Sequence, residues 1–264
     1  MRFVRCIDKS FQSIYGNAFT ENTMPTNEFG FYYGVSLKPH MIWRVDLYAD
    51  LFSFPWLKYR LDAPSAGFAY LMQLTWKPDK LTEVYTRLRY RMKPLNIEND
   101  EDDFTVPGIQ TIQHWRTHLS YQLSRVILLR SRVEVSLFTH QFPSTPGKGY
   151  LFYTDIICKP RRFWLSGNLR FQAFEADNYD SRIYAYENDL MFVSSTPSFY
   201  NSGIRCYMNC KAKLKVKFLI NSTLTANLKF ATTVYNNISS LGTGTAKIRG
   251  NRVSAIKMQI FLTQ

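Results

Sequence analysis

The chain has 264 residues, 45% of them hydrophobic and 20% charged, so it can bury a core and general disorder is excluded. No uninterrupted apolar run is long enough for a transmembrane helix. A formal charge of +13 suits nucleic acid, anionic lipid or a small anion alike, and a mean hydropathy of −0.24 still allows a membrane barrel, in which only alternate residues need be apolar.

The start, MRFVRCIDKSFQSIYGNAF, does not read as a secretory signal. Arg2 and Arg5 give it a basic beginning, but Asp8, Lys9 and Ser10 interrupt before any apolar stretch develops. Taken literally this implies a cytoplasmic chain. The preferred reading is a mature chain or the C-terminal portion of a longer one, with residues 1–27 as a first strand and loop. A first strand is expected within residues 3–16, and a clear one over 28–37.

From there the chain alternates. Trp43, Val45 and Leu47 oppose Arg44, Asp46 and Asp50, and Phe68, Tyr70, Met72, Leu74 and Trp76 form the next apolar row. In LTEVYTRLRYRM (81–92), Val84, Leu88, Tyr90 and Met92 oppose Glu83, Tyr85, Arg87, Arg89 and Arg91, with Thr86 breaking the apolar row. Trp115, Leu119 and Tyr121 oppose His114, Arg116 and His118, and Leu129, Val133, Val135 and Leu137 oppose Arg130, Arg132 and Glu134. Leu169 and Phe171 oppose Asn168, Arg170 and Gln172. Leu228 and Phe230 oppose Asn227 and Lys229, and Ile256, Met258 and Ile260 flank Lys257 and Gln259. A period of two is the signature of a strand, and no long stretch repeats at a helical period. The chain is all-β.

Lys38-Pro39, Lys77-Pro78 and Lys159-Pro160 each separate two alternating runs and are expected in short hairpin turns. Longer polar connections are expected near 51–65, 93–112, 139–149, 175–181 and 236–252. Short turns at one end and long loops at the other is the pattern of outer-membrane barrels. Expected strand lengths of about 9 to 12 residues match a tilted membrane crossing. Trp43, Trp76, Trp115, Phe163 and Trp164 near strand ends would suit interfacial girdles. Residues 181–210 require either two short strands or a segment folding inward. The predicted fold is a single domain over 1–264, an antiparallel up-and-down transmembrane β-barrel of about 12–14 strands.

The segments YDSRIYAYENDLMFVSSTPSFYNSG (179–203) and LKFATTVYNNISSLGTGTAKIRGNRVSAIKMQI (228–260) resemble the C-terminal barrel of Bacteroidota outer-membrane proteins in which a helix-hairpin-helix region precedes the barrel. The resemblance covers roughly residues 30–264 and implies the outer membrane as location. It carries no catalytic residues. The helix-hairpin-helix region has no counterpart here, and the chain ends FLTQ where such barrels tend to end on an aromatic residue.

Chemistry is sparse. His114 and His118 sit about 13 Å apart on a strand and cannot share a metal there. Glu98, Asp100, Glu101, Asp102 and Asp103 crowd an expected loop without calcium-loop spacing. LGTGT (241–245) lacks the lysine and helix of a phosphate loop. Cys6, Cys158, Cys206 and Cys210 form no metal-binding pair. No catalytic residue, cofactor or metal is expected.

Function then rests on the direction of the faces. If Val84, Leu88, Tyr90, Leu119, Val133, Val135, Leu169, Phe171, Leu228 and Ile260 meet lipid, then Arg87, Arg89, Arg91, Arg116, His118, Arg130, Arg132, Arg170 and Lys229 line a wet lumen. That lumen would be an anion-favouring, porin-like pore, or a closed interior neutralised by Glu83, Glu134 and Asp46. The expected role is a non-catalytic channel, scaffold or anchor. Its partners would be outer-membrane lipid and lipopolysaccharide, the barrel-assembly machinery and another envelope protein. The alternatives are a soluble basic β-protein binding nucleic acid or an anionic ligand, and an outer-membrane enzyme with residues converging at the loop end.

Overall fold

The computed structural model describes the chain outside residues 14, 15, 17, 100, 101, 141–145, 217–221, 243 and 264. Its strands are β1 (Arg2–Ile7), β2 (Glu28–His40), β3 (Trp43–Phe54), β4 (Ser65–Trp76), β5 (Thr82–Asn99), β6 (Asp102–Gln122), β7 (Ile127–His140) and β8 (Gly147–Cys158). They continue with β9 (Leu165–Ala176), β10 (Ile183–Tyr184), β11 (Ser198–Phe199), β12 (Asn201–Val216), β13 (Ser222–Tyr235), β14 (Ser240–Leu241), β15 (Ile248–Arg249) and β16 (Arg252–Thr263). Twelve form one sheet in the order β1-β2-β3-β4-β5-β6-β7-β8-β9-β12-β13-β16, while β10-β11 and β14-β15 are separate two-stranded hairpins. Every pairing with a described register is antiparallel. The all-β, up-and-down reading therefore holds, at the lower end of the expected strand range.

Several boundaries differ from expectation. Lys38-Pro39 lies inside β2, and the turn follows at Met41 and Ile42. The register breaks between Leu37 and His40, which is where a residue without an N–H can sit in a strand. The long loop expected over 93–112 is mostly strand, because β5 runs to Asn99 and β6 starts at Asp102. Two extended chains satisfy each other's amides whatever their side chains are, so polarity alone does not end a hairpin. β5, β6 and β12, with 18, 21 and 16 residues, exceed the expected length. The acidic run from Glu98 to Asp103 has no described side chains, and Asp100 and Glu101 lie outside the described residues altogether. Trp115 stands within β6 instead of at its end, whereas Trp43 and Trp76 are registered partners with ring centroids 6.1 Å apart.

The chain divides into two compact units. One comprises Met1–Trp76, Tyr85–Trp115 and Ser136–Gly147; the other comprises Lys77–Val84, Arg116–Val135 and Lys148–Gln264. In the first, Arg5 and Glu28 form a buried ion pair at 2.8 Å, and Arg5 also grips Asp50 at 2.8 Å. Asn27, at a positive φ of 53° that asparagine tolerates, ties the 55–64 connection down. Its side chain donates to the Trp56 carbonyl at 2.7 Å and accepts from the Trp56 N–H at 3.0 Å.

Burial in the second unit runs opposite to that of an ordinary soluble sheet. On β9, Arg170 and Gln172 are 2% and 0% exposed while Leu169 and Phe171 are 48% and 49% exposed. On β13, Asn227 and Lys229 are buried while Leu228 and Phe230 are exposed, and on β7 the same holds for Arg132 and Glu134 against Val133. The first unit repeats it in part: Asp50 is buried on β3 between exposed neighbours Ala49 and Leu51. Burying charge is costly unless it is paired, so the polar faces need partners.

Candidate functional site: a strapped basic face

The partners come largely from residues 177–200, between β9 and β12. The part SRIYAYE (181–187) is extended with a period of two: Ser181, Ile183, Ala185 and Glu187 are buried, whereas Tyr184 and Tyr186 are half-exposed. This strap turns back on itself through β10 and β11, with the Glu187 N–H donating to the Ser195 carbonyl at 2.9 Å. Its apolar side packs Ile183, Ala185 and Phe199 against Leu151, Tyr153 and Phe174 in a small core. Gly149 makes that approach possible, because a Cβ there would collide with the Ser181 carbonyl. Residues 181–210 thus hold two short strands, β10 and β11, in a segment that folds onto the polar face of the sheet.

Farther along the same side of the strap, its acids meet the basic face. Glu187 accepts from Arg205 through both oxygens, at 2.6 and 3.0 Å, and from the Lys229 ammonium at 3.1 Å. Asp189 accepts from Lys229 at 3.0 Å and Lys257 at 2.9 Å. The Asp189 carboxyl is held below its ordinary pKa: burial pushes it up, but hydrogen bonds from Lys257, the Leu190 N–H and Lys229 outweigh that. Backbone carbonyls help as well. Arg170 donates to Tyr186 O at 2.7 Å, and Asn209 donates to Asn188 O at 2.7 Å.

Other basic residues find acids on neighbouring strands. Arg170 makes a two-pronged pair with Asp155 at 2.5 and 2.7 Å, and Arg116 does the same with Glu134 at 2.8 and 3.1 Å. Arg132 also pairs with Glu134. Of the acids expected to neutralise the basic face, Glu134 pairs with two of its arginines. Glu83 instead pairs with Lys77 at the β4–β5 turn, and Asp46 with Arg44 two residues away.

The remaining candidates are spread along the strands. Arg87 donates to Gln73 at 2.7 Å, Arg91 pairs with Glu21, and Arg89 is exposed. His118 is half-buried. Of the apolar candidates, Leu88, Leu119, Val133, Leu169, Phe171, Leu228 and Ile260 are exposed, while Val84, Tyr90 and Val135 are partly covered. Tyr90 stacks on Tyr70 with ring centroids 5.1 Å apart, and Thr86 accepts from the Trp115 indole at 3.0 Å. That contact gives the interruption in the apolar row a partner on the same face. Among the described residues, no three of His, Cys, Asp and Glu converge as metal ligands.

Sequence reasoning missed Glu187, Asp189, Asp155 and Arg205. The alternation of SRIYAYEND was a usable signal: an extended segment with acids on its apolar side must meet cations across from it. Midway along the strap, a cavity of about 230 Å³ opens between residues 188–191 and β9, β12 and β13. Arg130, Lys159 and Lys211 stand at its walls with Asn168, Asn209 and Asn227. No protein-family model matches the chain, and neither does any curated protein or solved structure.

Proposed function

We propose that this chain is a bacterial outer-membrane β-barrel without catalytic activity, acting as a strapped channel or anchor. The observation that carries the reading is the inverted burial on β7, β9 and β13, where charged residues are covered and apolar ones exposed. Exposed apolar rows of this extent are unfavourable in water and suit lipid. A sheet in lipid must close, because an open edge leaves amides unsatisfied. The resemblance to the Bacteroidota barrels agrees with this location.

The buried ion pairs and the strap favour a filled interior over a wide open pore. Glu187 and Asp189 neutralise cations that would otherwise line a passage. The soluble alternative requires the apolar rows as a core, and their exposure weighs against it.

The test is fractionation of the expressed gene product, followed by SDS gel mobility with and without boiling. Recovery in the outer membrane with a heat-dependent shift is expected, and conductance in a planar bilayer would then separate channel from anchor. A soluble product with unchanged mobility overturns the reading.

A further inference from the structure

We propose that the cavity beneath strap residues 188–191 binds a small soluble oxyanion, a phosphate or a short carboxylate. The cavity is lined from β9, β12 and β13 by Asn168, Asn209 and Asn227, and Arg130, Lys159 and Lys211 add positive charge. Asn227 is only 6% exposed, yet its amide Nδ2 finds no acceptor among the described residues. The Nδ2 of Asn168 is also buried without an acceptor among the described residues. A buried polar atom without a partner is costly; two of the three orphaned amide atoms at this cavity are donors that ask for an acceptor, and the third, Asn209 Oδ1, can accept from the hydroxyl of a protonated phosphate.

The charge selects the acceptor. Asp189 is the carboxylate on the wall, and Lys229 and Lys257 already compensate it. Arg130, Lys159 and Lys211 form no ion pair among the described residues, and the Lys211 ammonium rests 3.4 Å from the Met191 sulfur. Neutral amide donors backed by surplus cations fit an anion carrying several oxygens. A volume of about 230 Å³ is below the usual range for drug-sized ligands and suits a small one. Because the strap supplies one wall, such an anion would also fasten the strap.

The inference rests on the geometry of the second unit alone and does not require the sheet to cross a membrane. The experiment is titration of the folded full chain with inorganic phosphate, read by calorimetry, in neutral-lipid nanodiscs or, if the protein proves soluble, in buffer. Saturable binding is expected, weakened about tenfold or more by Asn227→Leu, which removes the donor without changing charge. Arg249→Ala, on the distant β14–β15 hairpin, should leave affinity within about twofold. Lys211→Gln provides a second variant should Asn227→Leu fail to fold, and is expected to weaken binding by a similar factor. Absence of saturation, or equal loss in Asn227→Leu and Arg249→Ala, overturns the site, since either would mean a diffuse field only. Lipid headgroups carry the same oxygens. Nanodiscs containing anionic lipid should leave phosphate affinity unchanged, and competition by them would overturn the assignment to a soluble anion.

Discussion

Arg170 and Asp155 face each other on adjacent strands, β9 and β8, as a two-pronged pair with nitrogen–oxygen distances of 2.5 and 2.7 Å. Both side chains are almost wholly buried, and the guanidinium also lies 3.8 Å from the centre of the Tyr153 ring. Such a pair adds little net stability against an apolar replacement, but removing one member strands the other.

Asp155→Asn should therefore cost about 3–5 kcal/mol of unfolding free energy. The double change Asp155→Asn with Arg170→Gln should recover part of that loss. Urea titration of the folded chain measures both, and additive losses would show that the pair does not act as a unit.

Glu187→Gln should loosen the strap without unfolding the sheet, since Glu187 joins Arg205 and Lys229 to it. Tyr184 and Tyr186 are half-exposed, so chymotrypsin reads this directly. Cleavage there should quicken by about tenfold, the equivalent of ~1.4 kcal/mol of local opening. If the strap closes a channel, bilayer conductance should rise in the same variant.

Acid should act on the strap through Asp189. Its folded pKa lies below the ordinary 3.8, so the folded state holds the ionised carboxylate more tightly than the unfolded state does. The stabilisation is fully present above 3.8 and is lost as pH falls through the lower folded value. Protease sensitivity of the strap should rise only in that acidic range, and Asp189→Asn should show it already at neutral pH.

Lys58, in the 55–64 connection, should be unusually reactive. Burial, and then the neighbouring charge of Lys93, lower its pKa from 10.5 to about 8, and its ammonium sits 3.4 Å from the centre of the Phe54 ring. Folding disfavours the charged form here, so this group's contribution to stability rises with pH between about 8 and 10.5. Acetylation mapped by mass spectrometry at pH 8 should modify Lys58 ahead of the exposed lysines 38 and 80.

Leu169→Arg separates lipid from water as the medium outside the sheet. Leu169 is 48% exposed on the face opposite Arg170. In water a charge at such a position should cost within about 0.5 kcal/mol. In lipid it should cost about 2–4 kcal/mol near the midplane. Unfolding from bilayers with and without the substitution gives the answer.

The alternation of residues such as Leu169, Arg170, Phe171 and Gln172 was enough to establish strands, their two faces and an antiparallel meander, because the side-chain period of a strand is local and independent of what surrounds it. The hairpin ends were harder to read. Polar residues after Met92 continue as strand because paired backbones need no core, and Pro39 is carried at a register break. Burial of Arg170 beside exposed Leu169 could not be read from the pattern, which looks the same whichever side is covered. Nor could the pairing of Glu187 with Lys229, which lie 42 positions apart. Glu187 has its role only because Gly149 lets the strap lie flat and β12 and β13 bring Arg205 and Lys229 beneath it. Local periodicity is written in the chain itself, whereas the choice of partner for a buried charge is settled by distances that exist only once the strands have paired.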